Sequence, residues 1–185
     1  MRFTLIDRID QLEPGASIRA VKSLSLAEEY LADHFPRFPV MPGVLMLEAM
    51  TQAGAWLIRA SEDFAHSMVV LKEARNVKYS DFVSPGQTLC VTAEITGQDE
   101  VETKLKAQGT VDGQTKFTAR LVLERYNLVE RGLGAAETDG LVTRQMRALF
   151  ALLHRPAAVE QSAKEAISPH GVQSAAASGS GRSEQ

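Results

Sequence analysis

A chain of 185 residues is long enough for one domain with a proper core, and for a tail besides. Its net charge of −3 argues against a nucleic-acid binder, which carries a basic excess, and a 44% hydrophobic share suits a soluble globular protein. One cysteine, Cys90, excludes an intramolecular disulfide, and its place in an alternating stretch makes it a small face or core residue.

In chain order, Met1 to Asp10 interrupts every apolar run with a charge, so no secretory signal is expected and the cytoplasm is the expected compartment. A weak strand is predicted over Ser17 to Leu26. Next come three prolines in seven residues, Pro36, Pro39 and Pro42, which stiffen the chain between His34 and the apolar segment beyond. A rigid loop holding a histidine is one way for a scaffold to position a reactive group. Pro42 suits the first turn of a helix, where its missing N–H costs little. Gly43, with no Cβ, leaves the backbone N–H groups of that helix start open to a ligand, and the helix dipole favours negative charge there.

The segment Val40 to Ile58 is nearly all apolar. An acidic group at bilayer depth is costly, so Glu48 and Gln52 near its middle favour a buried central helix over a membrane span. Glu48 is the only ionisable residue in that stretch, and Gln52 lies one turn on, on the same face. A lone carboxylate on a buried helix must be paired, hydrogen-bonded or protonated. Spacing alone leaves two readings open: an acid for chemistry, or a polar pair that ties the helix to loop backbone.

Downstream, a strand is predicted over Met68 to Tyr79. Leu89 to Ile95, Val101 to Val111 and Phe117 to Leu123 then alternate apolar and polar residues, as half-buried strands do. Asp112-Gly113 supplies a tight hairpin turn between the last two. Arg131 to Ala136 reads as a linker. Leu141 to Leu153 reads as an amphipathic helix starting near Thr138 or Asp139 and ending before Pro156, docked on the domain or on a second subunit. Residues 157–185 are small and polar and are expected to be disordered. The expected division is thus a domain over 1–130, a linker and helix over 131–156, and the tail. An α+β fold in which an antiparallel sheet wraps a long central helix, the hot-dog arrangement, gives every apolar face a cover.

The run from His34 to Gln52 closely resembles the catalytic region of the bacterial 3-hydroxyacyl-acyl-carrier-protein dehydratases, in which His-Phe-Pro leads through Pro-Gly-Val to a helix carrying Glu-Ala and then Gln. The similarity extends from about Phe3 to Tyr126. It takes in Leu12-Glu-Pro-Gly-Ala-Ser, like the family's opening strands, and the turns at Pro85-Gly86 and Asp112-Gly113. The resemblance implies that His34 and Glu48 are the catalytic pair, that Gly43 N–H binds the thioester carbonyl, and that Gln52 supports Glu48. It also implies a homodimer with the histidine of one subunit facing the carboxylate of the other, often assembled into a trimer of dimers. The implied substrate is an acyl thioester on acyl carrier protein or coenzyme A.

Some positions depart from the family pattern. Asp33 and Arg37 stand where the family usually has glycine, and Asn76 to Gly86 lacks its arginine-rich stretch, leaving Lys72, Arg75 and Lys78 as candidate carrier-facing charge. No aromatic gate stands near Val70. His66, His154 and His170 read as surface or tail residues. No ligand cluster with metal spacing and no Gly-rich dinucleotide loop is present, so neither metal nor cofactor is expected. Three alternatives remain open: a hot-dog thioesterase or dehydratase-isomerase, an inactive acyl-binding module, and a dehydratase of a secondary lipid or polyketide pathway.

Overall fold

A computed structural model describes residues 4–155, and the expected tail over 157–185 lies outside them. Six strands form one antiparallel sheet in the order β1-β2-β4-β5-β6-β3. They are β1 (Arg8–Glu13), β2 (Ser17–Ser23), β3 (Met68–Tyr79), β4 (Thr88–Gln98), β5 (Glu102–Val111) and β6 (Gln114–Tyr126). Helix α1 (Gly43–Ser61) packs against β2 through β6, and helix α2 (Ala136–Leu153) comes after the sheet.

The strand pattern follows from the alternation. In β4, Leu89, Val91 and Ala93 are buried while Thr88, Cys90 and Thr92 face outward; Arg19 Nε reaches the Cys90 sulfur at 3.2 Å across the sheet. Asp112 and Gly113 both take positive φ, which matches the right-handed twist of the β5–β6 hairpin. β3 is bent twice, where its register with β6 shifts between Leu71 and Glu73 and again between Arg75 and Lys78, beside Asn76 at φ 52.

Beneath the sheet, Met46, Ala49, Met50, Ala53, Trp56, Leu57 and Ile58 of α1 meet Leu89, Val91, Leu105, Leu121 and Leu123 in one core cluster. Burying a large apolar side chain stabilises by roughly 1.5–3 kcal/mol, so this contact dominates the fold. Close approach needs two glycines. A Cβ on Gly54 would stand 2.5 Å from Leu105, and one on Gly109 would stand 1.9 Å from the Phe117 ring. Phe117, opposite Gly109 in register, lies over the bare backbone and is fully buried.

α1 is less enclosed than its composition predicts. Val44 is 72% exposed, and Leu45, Leu47, Glu48, Gln52 and Ala55 are only half-buried, which leaves one stripe of the helix uncovered by its own sheet. A single sheet reaches around only part of a helix; the other side needs a different cover.

α2 begins at Ala136, before the expected start, and Asp139 serves a different purpose from a cap. Its carboxylate accepts the Ser67 hydroxyl and the N–H groups of Leu128 (2.8 Å) and Val129 (3.0 Å), tying the helix to the turn before it. Farther along, Phe150 meets Trp56 and Phe64, Arg147 pairs with Asp63 at 2.8 Å, and Leu153 is buried. His154 is half-buried against Phe150, and His66 is half-buried with its Nδ1 3.0 Å from Glu62.

Gly109→Ala should lower the free energy of unfolding by about 3 kcal/mol through overpacking against Phe117, read from urea denaturation. The Ser67 hydroxyl, with the Val129 and Leu128 N–H groups, holds the Asp139 carboxyl below the usual carboxylate range. The stabilisation from this contact is therefore present above that range and is lost as pH falls through the lowered value. Asp139→Asn should release α2 at neutral pH. Trp56 is the only tryptophan of the chain, so a red-shifted emission with the far-UV spectrum retained would report that release.

Candidate active site

The loop after Leu31 is held by its own backbone. Phe35 and Phe38 exchange N–H···O bonds (3.2 and 2.9 Å), and Val40 N–H returns to His34 O at 3.0 Å. Met41 N–H then bonds Val83 O at 2.8 Å, fastening the loop to the segment after β3. Pro36 and Pro39 occupy positions in this small loop where no N–H is needed.

His34 is half-buried in that loop, with its ring stacked on Phe35 at 4.2 Å. Its Nδ1 lies 3.1 Å from Val40 O. A carbonyl can only accept, so the bonded Nδ1 carries a proton, and in the neutral form of the ring the lone pair then lies at Nε2. In that tautomer Nε2 is the nitrogen able to take up a proton. Asp33 and Arg37 are both exposed, and Val40 O, rather than Asp33, occupies the ring's Nδ1 side.

A cleft of about 260 Å³ opens beside the ring, lined by His34, Met41, Gly43, Met46, Tyr79, Ser80, Asp81 and Phe82. Phe38 and Phe82 meet edge to face at 5.7 Å, and both are exposed. Gly43 is the first residue of α1, so a helix N-terminus borders the cleft. Leu45 N–H (2.9 Å) and Met46 N–H (3.1 Å) both close onto Pro42 O. The N–H groups of Gly43 and Val44 have no intrahelical acceptor at that end. The expected reason for glycine here is ligand access; the structure adds another. A Cβ at Gly43 would lie 3.1 Å from the Tyr79 ring, so a packed aromatic already takes that space.

Glu48 and Gln52 form the pair that one-turn spacing predicts. Gln52 Nε2 donates to Glu48 Oε1 at 2.9 Å, while Gln52 Oε1 accepts Leu5 N–H at 2.9 Å. The N-terminal segment thereby fixes the amide, and the amide fixes the carboxylate. Glu48 makes no ion pair among the described residues.

The structure brings His34 and Gly43 to one cleft and Glu48 and Gln52 to another face. Glu48 comes two residues after Met46, about 200° around the helix, so with Met46 on the cleft Glu48 points away from it. One chain therefore does not assemble all four residues at one point. Val40 O and Tyr79 were not legible as site residues, the first because a backbone contact leaves no mark in sequence. A tyrosine closing a strand just before a Ser-Asp turn was the available signal for the second.

A larger depression of about 590 Å³ lies on the outer face of the sheet among Asn76, Lys78, Thr92, Glu94, Lys106, Gln108, Thr118 and Arg120. It is lined by none of the His34 cleft residues. Of the candidate carrier-facing charges, Lys72 contacts Glu102 and Arg75 bonds Glu73 at 2.6 Å, so each is matched within the chain. Among the described residues, no cluster of three metal-ligating side chains occurs, and no helix is long and apolar enough to cross a membrane.

A family model described as the FabA-like domain matches residues 1–120. The chain is 38% identical over 112 residues to the 3-hydroxyacyl-acyl-carrier-protein dehydratase FabZ of Ruminiclostridium cellulolyticum, a match covering 60% of this chain and 79% of that one. With the enzyme of the same name from Dechloromonas aromatica it shares 37% over 132 residues, covering 68% and 90%. Among solved structures, the dehydratase heterocomplex ApeI:P from Xenorhabdus doucetiae aligns with a TM-score of 0.58 at 20% identity, covering 69% of this chain and 86% of that one. Protein smu.793 of Streptococcus mutans, solved bound to acetyl CoA, aligns with a TM-score of 0.54 at 13% identity, covering 69% and 94%. At those identities the likeness is one of fold: an α+β hot-dog, six antiparallel strands around a central helix.

Gln52→Ala should leave both Leu5 N–H and Glu48 without their partner. The expected loss is about 1–3 kcal/mol of folding stability, measured by denaturant titration.

Proposed function

The chain belongs to the FabA-like domain family, and from that membership we propose that it is a hydro-lyase. Its reaction is removal of water from 3-hydroxyacyl thioesters on an acyl carrier protein, giving trans-2-enoyl thioesters for fatty-acid or related lipid synthesis. The observation that carries the reading is His34 fixed through Nδ1 on Val40 O, beside a helix start with open N–H groups, in a cleft walled by Met41 and Met46.

In this reading the thioester carbonyl accepts the Gly43 N–H, which stabilises the negative charge that develops on its oxygen as C2 loses a proton. His34 Nε2 takes that proton. The C3–O bond then breaks as the hydroxyl leaves as water, protonated with the help of a carboxyl group, Glu48. Because Glu48 faces away from its own chain's cleft, the carboxyl that meets His34 belongs to a second copy. The uncovered stripe Val44, Glu48, Gln52 and Ala55 and the unpaired edge of β3 supply surface for such a homodimer. Dimers of this kind can assemble further into a trimer of dimers. A single unpaired thiol, Cys90, and the lack of a membrane-crossing helix among the described residues suit a cytoplasmic enzyme.

Hydration of a crotonyl thioester, followed by loss of enoyl absorbance, tests this reading. His34→Ala and Glu48→Gln should each lower kcat by about 100-fold or more. Mixed in equal amounts and allowed to exchange subunits, the two inactive variants should recover about a quarter of wild-type activity, since a shared site restores one intact centre per mixed dimer. No recovery on mixing would place both residues of a site in one chain and overturn the shared arrangement. Wild-type turnover unaffected by His34→Ala would overturn the mechanism.

A further inference from the structure

Tyr79 closes β3 opposite Phe117, and its position is set by a chain of contacts through the sheet. Gly109 leaves space for the Phe117 ring, Phe117 is fully buried, and the Tyr79 ring stacks on Phe117 at 6.3 Å with an interplanar angle of 17°. The Tyr79 ring also fills the place a Gly43 side chain would take, with its Cε1 and Cζ 3.1 and 3.2 Å from an ideal Cβ. Its hydroxyl donates to Gly43 O at 2.9 Å.

That hydrogen bond is not needed to satisfy the helix. A first-turn carbonyl already accepts the N–H four residues on, and a phenol that is 47% exposed has water within reach. What the bond does is fix the plane of the Gly43–Val44 peptide, the unit whose N–H is one of the two open donors at this helix start. A second bond to a carbonyl also polarises its peptide and strengthens that unit's own N–H as a donor.

We propose that Tyr79 is a positioning residue for the dehydration, its hydroxyl clamping the Gly43–Val44 peptide so that the Val44 N–H lies alongside the Gly43 N–H and joins it in facing the developing oxyanion. This rests on the reading that Gly43 receives the thioester oxygen. Tyr79 touches no reacting atom; it acts through backbone donors, as a rigid strand end braced on Phe117.

The test is Tyr79→Phe, which keeps the ring, the stack on Phe117 and the fit against Gly43 while removing the hydroxyl alone. In crotonyl-thioester hydration kcat should fall about tenfold with KM within about twofold, because a misplaced donor is felt mainly as charge develops. The pH limbs of kcat should stay where they are, since Val40 O, which holds His34, is untouched. In a His34→Ala background, which holds substrate without turnover, the infrared carbonyl stretch of bound 13C-labelled crotonyl thioester should move back toward its value in solution when the hydroxyl is removed. An unchanged kcat with an unchanged stretch would overturn the proposal. So would a rise in KM alone, which would make the hydroxyl a substrate contact, or a Phe variant that fails to fold, which would make it a structural tie. If the wild type shows no turnover, the dehydratase reading fails separately, and the carbonyl stretch still decides whether the hydroxyl strengthens the hydrogen bonding that the Gly43–Val44 helix start offers a thioester oxygen.

Discussion

The contact on which this structure rests is the close seating of one helix on one curved sheet, made possible where two glycines remove a Cβ. At Gly54 the helix comes down onto Leu105, and at Gly109 the sheet admits the Phe117 ring. From Phe117 the contact continues to Tyr79 and then to Gly43, where α1 begins. The apolar core that stabilises the fold thus also fixes the start of the helix that borders the His34 cleft. Core packing is dense enough that a misfit at one position is felt by its neighbours.

Around that core, polar groups are held by partners of fixed geometry. His34 bonds a backbone carbonyl of its own proline-stiffened loop, and Glu48 bonds an amide that is itself held by Leu5 N–H. In both cases backbone, which moves little, fixes the side chain. The proposed chemistry needs the imidazole to present one nitrogen as a lone pair and the carboxyl to be steady at the helix surface, and these partners serve both needs. The stripe of α1 left uncovered by its own sheet is where the proposed second copy would complete each centre.

Beyond the family match, which ends at residue 120, the chain adds a helix that is bound by specific polar contacts as well as by apolar ones. Asp139 gathers three donors at one end, and Phe150 and Leu153 are set against the core at the other. Trp56, near the far end of α1, is covered by this addition. The extension therefore bears on the packing at the end of α1 opposite the His34 cleft.

Much was legible in the sequence. The two-residue alternation of β4 to β6, the Asp112-Gly113 turn and the apolar run of α1 are local patterns, and each is decided by residues a few positions apart. The chemical pairing of Glu48 with Gln52 was legible for the same reason, since one helical turn places them together. The resemblance of His34 to Gln52 to a catalytic segment named candidates that spacing alone left with two readings. The rest emerged with long-range packing: Val40 O accepts the Nδ1–H of His34, Tyr79 fills the space beside Gly43, Asp139 binds a preceding turn, and Glu48 faces away from its own chain's cleft. Those facts depend on contacts between residues far apart in the chain, or on backbone atoms that every residue has alike. Amino-acid order records which groups are available; the direction each one faces is settled when the sheet closes over the helix.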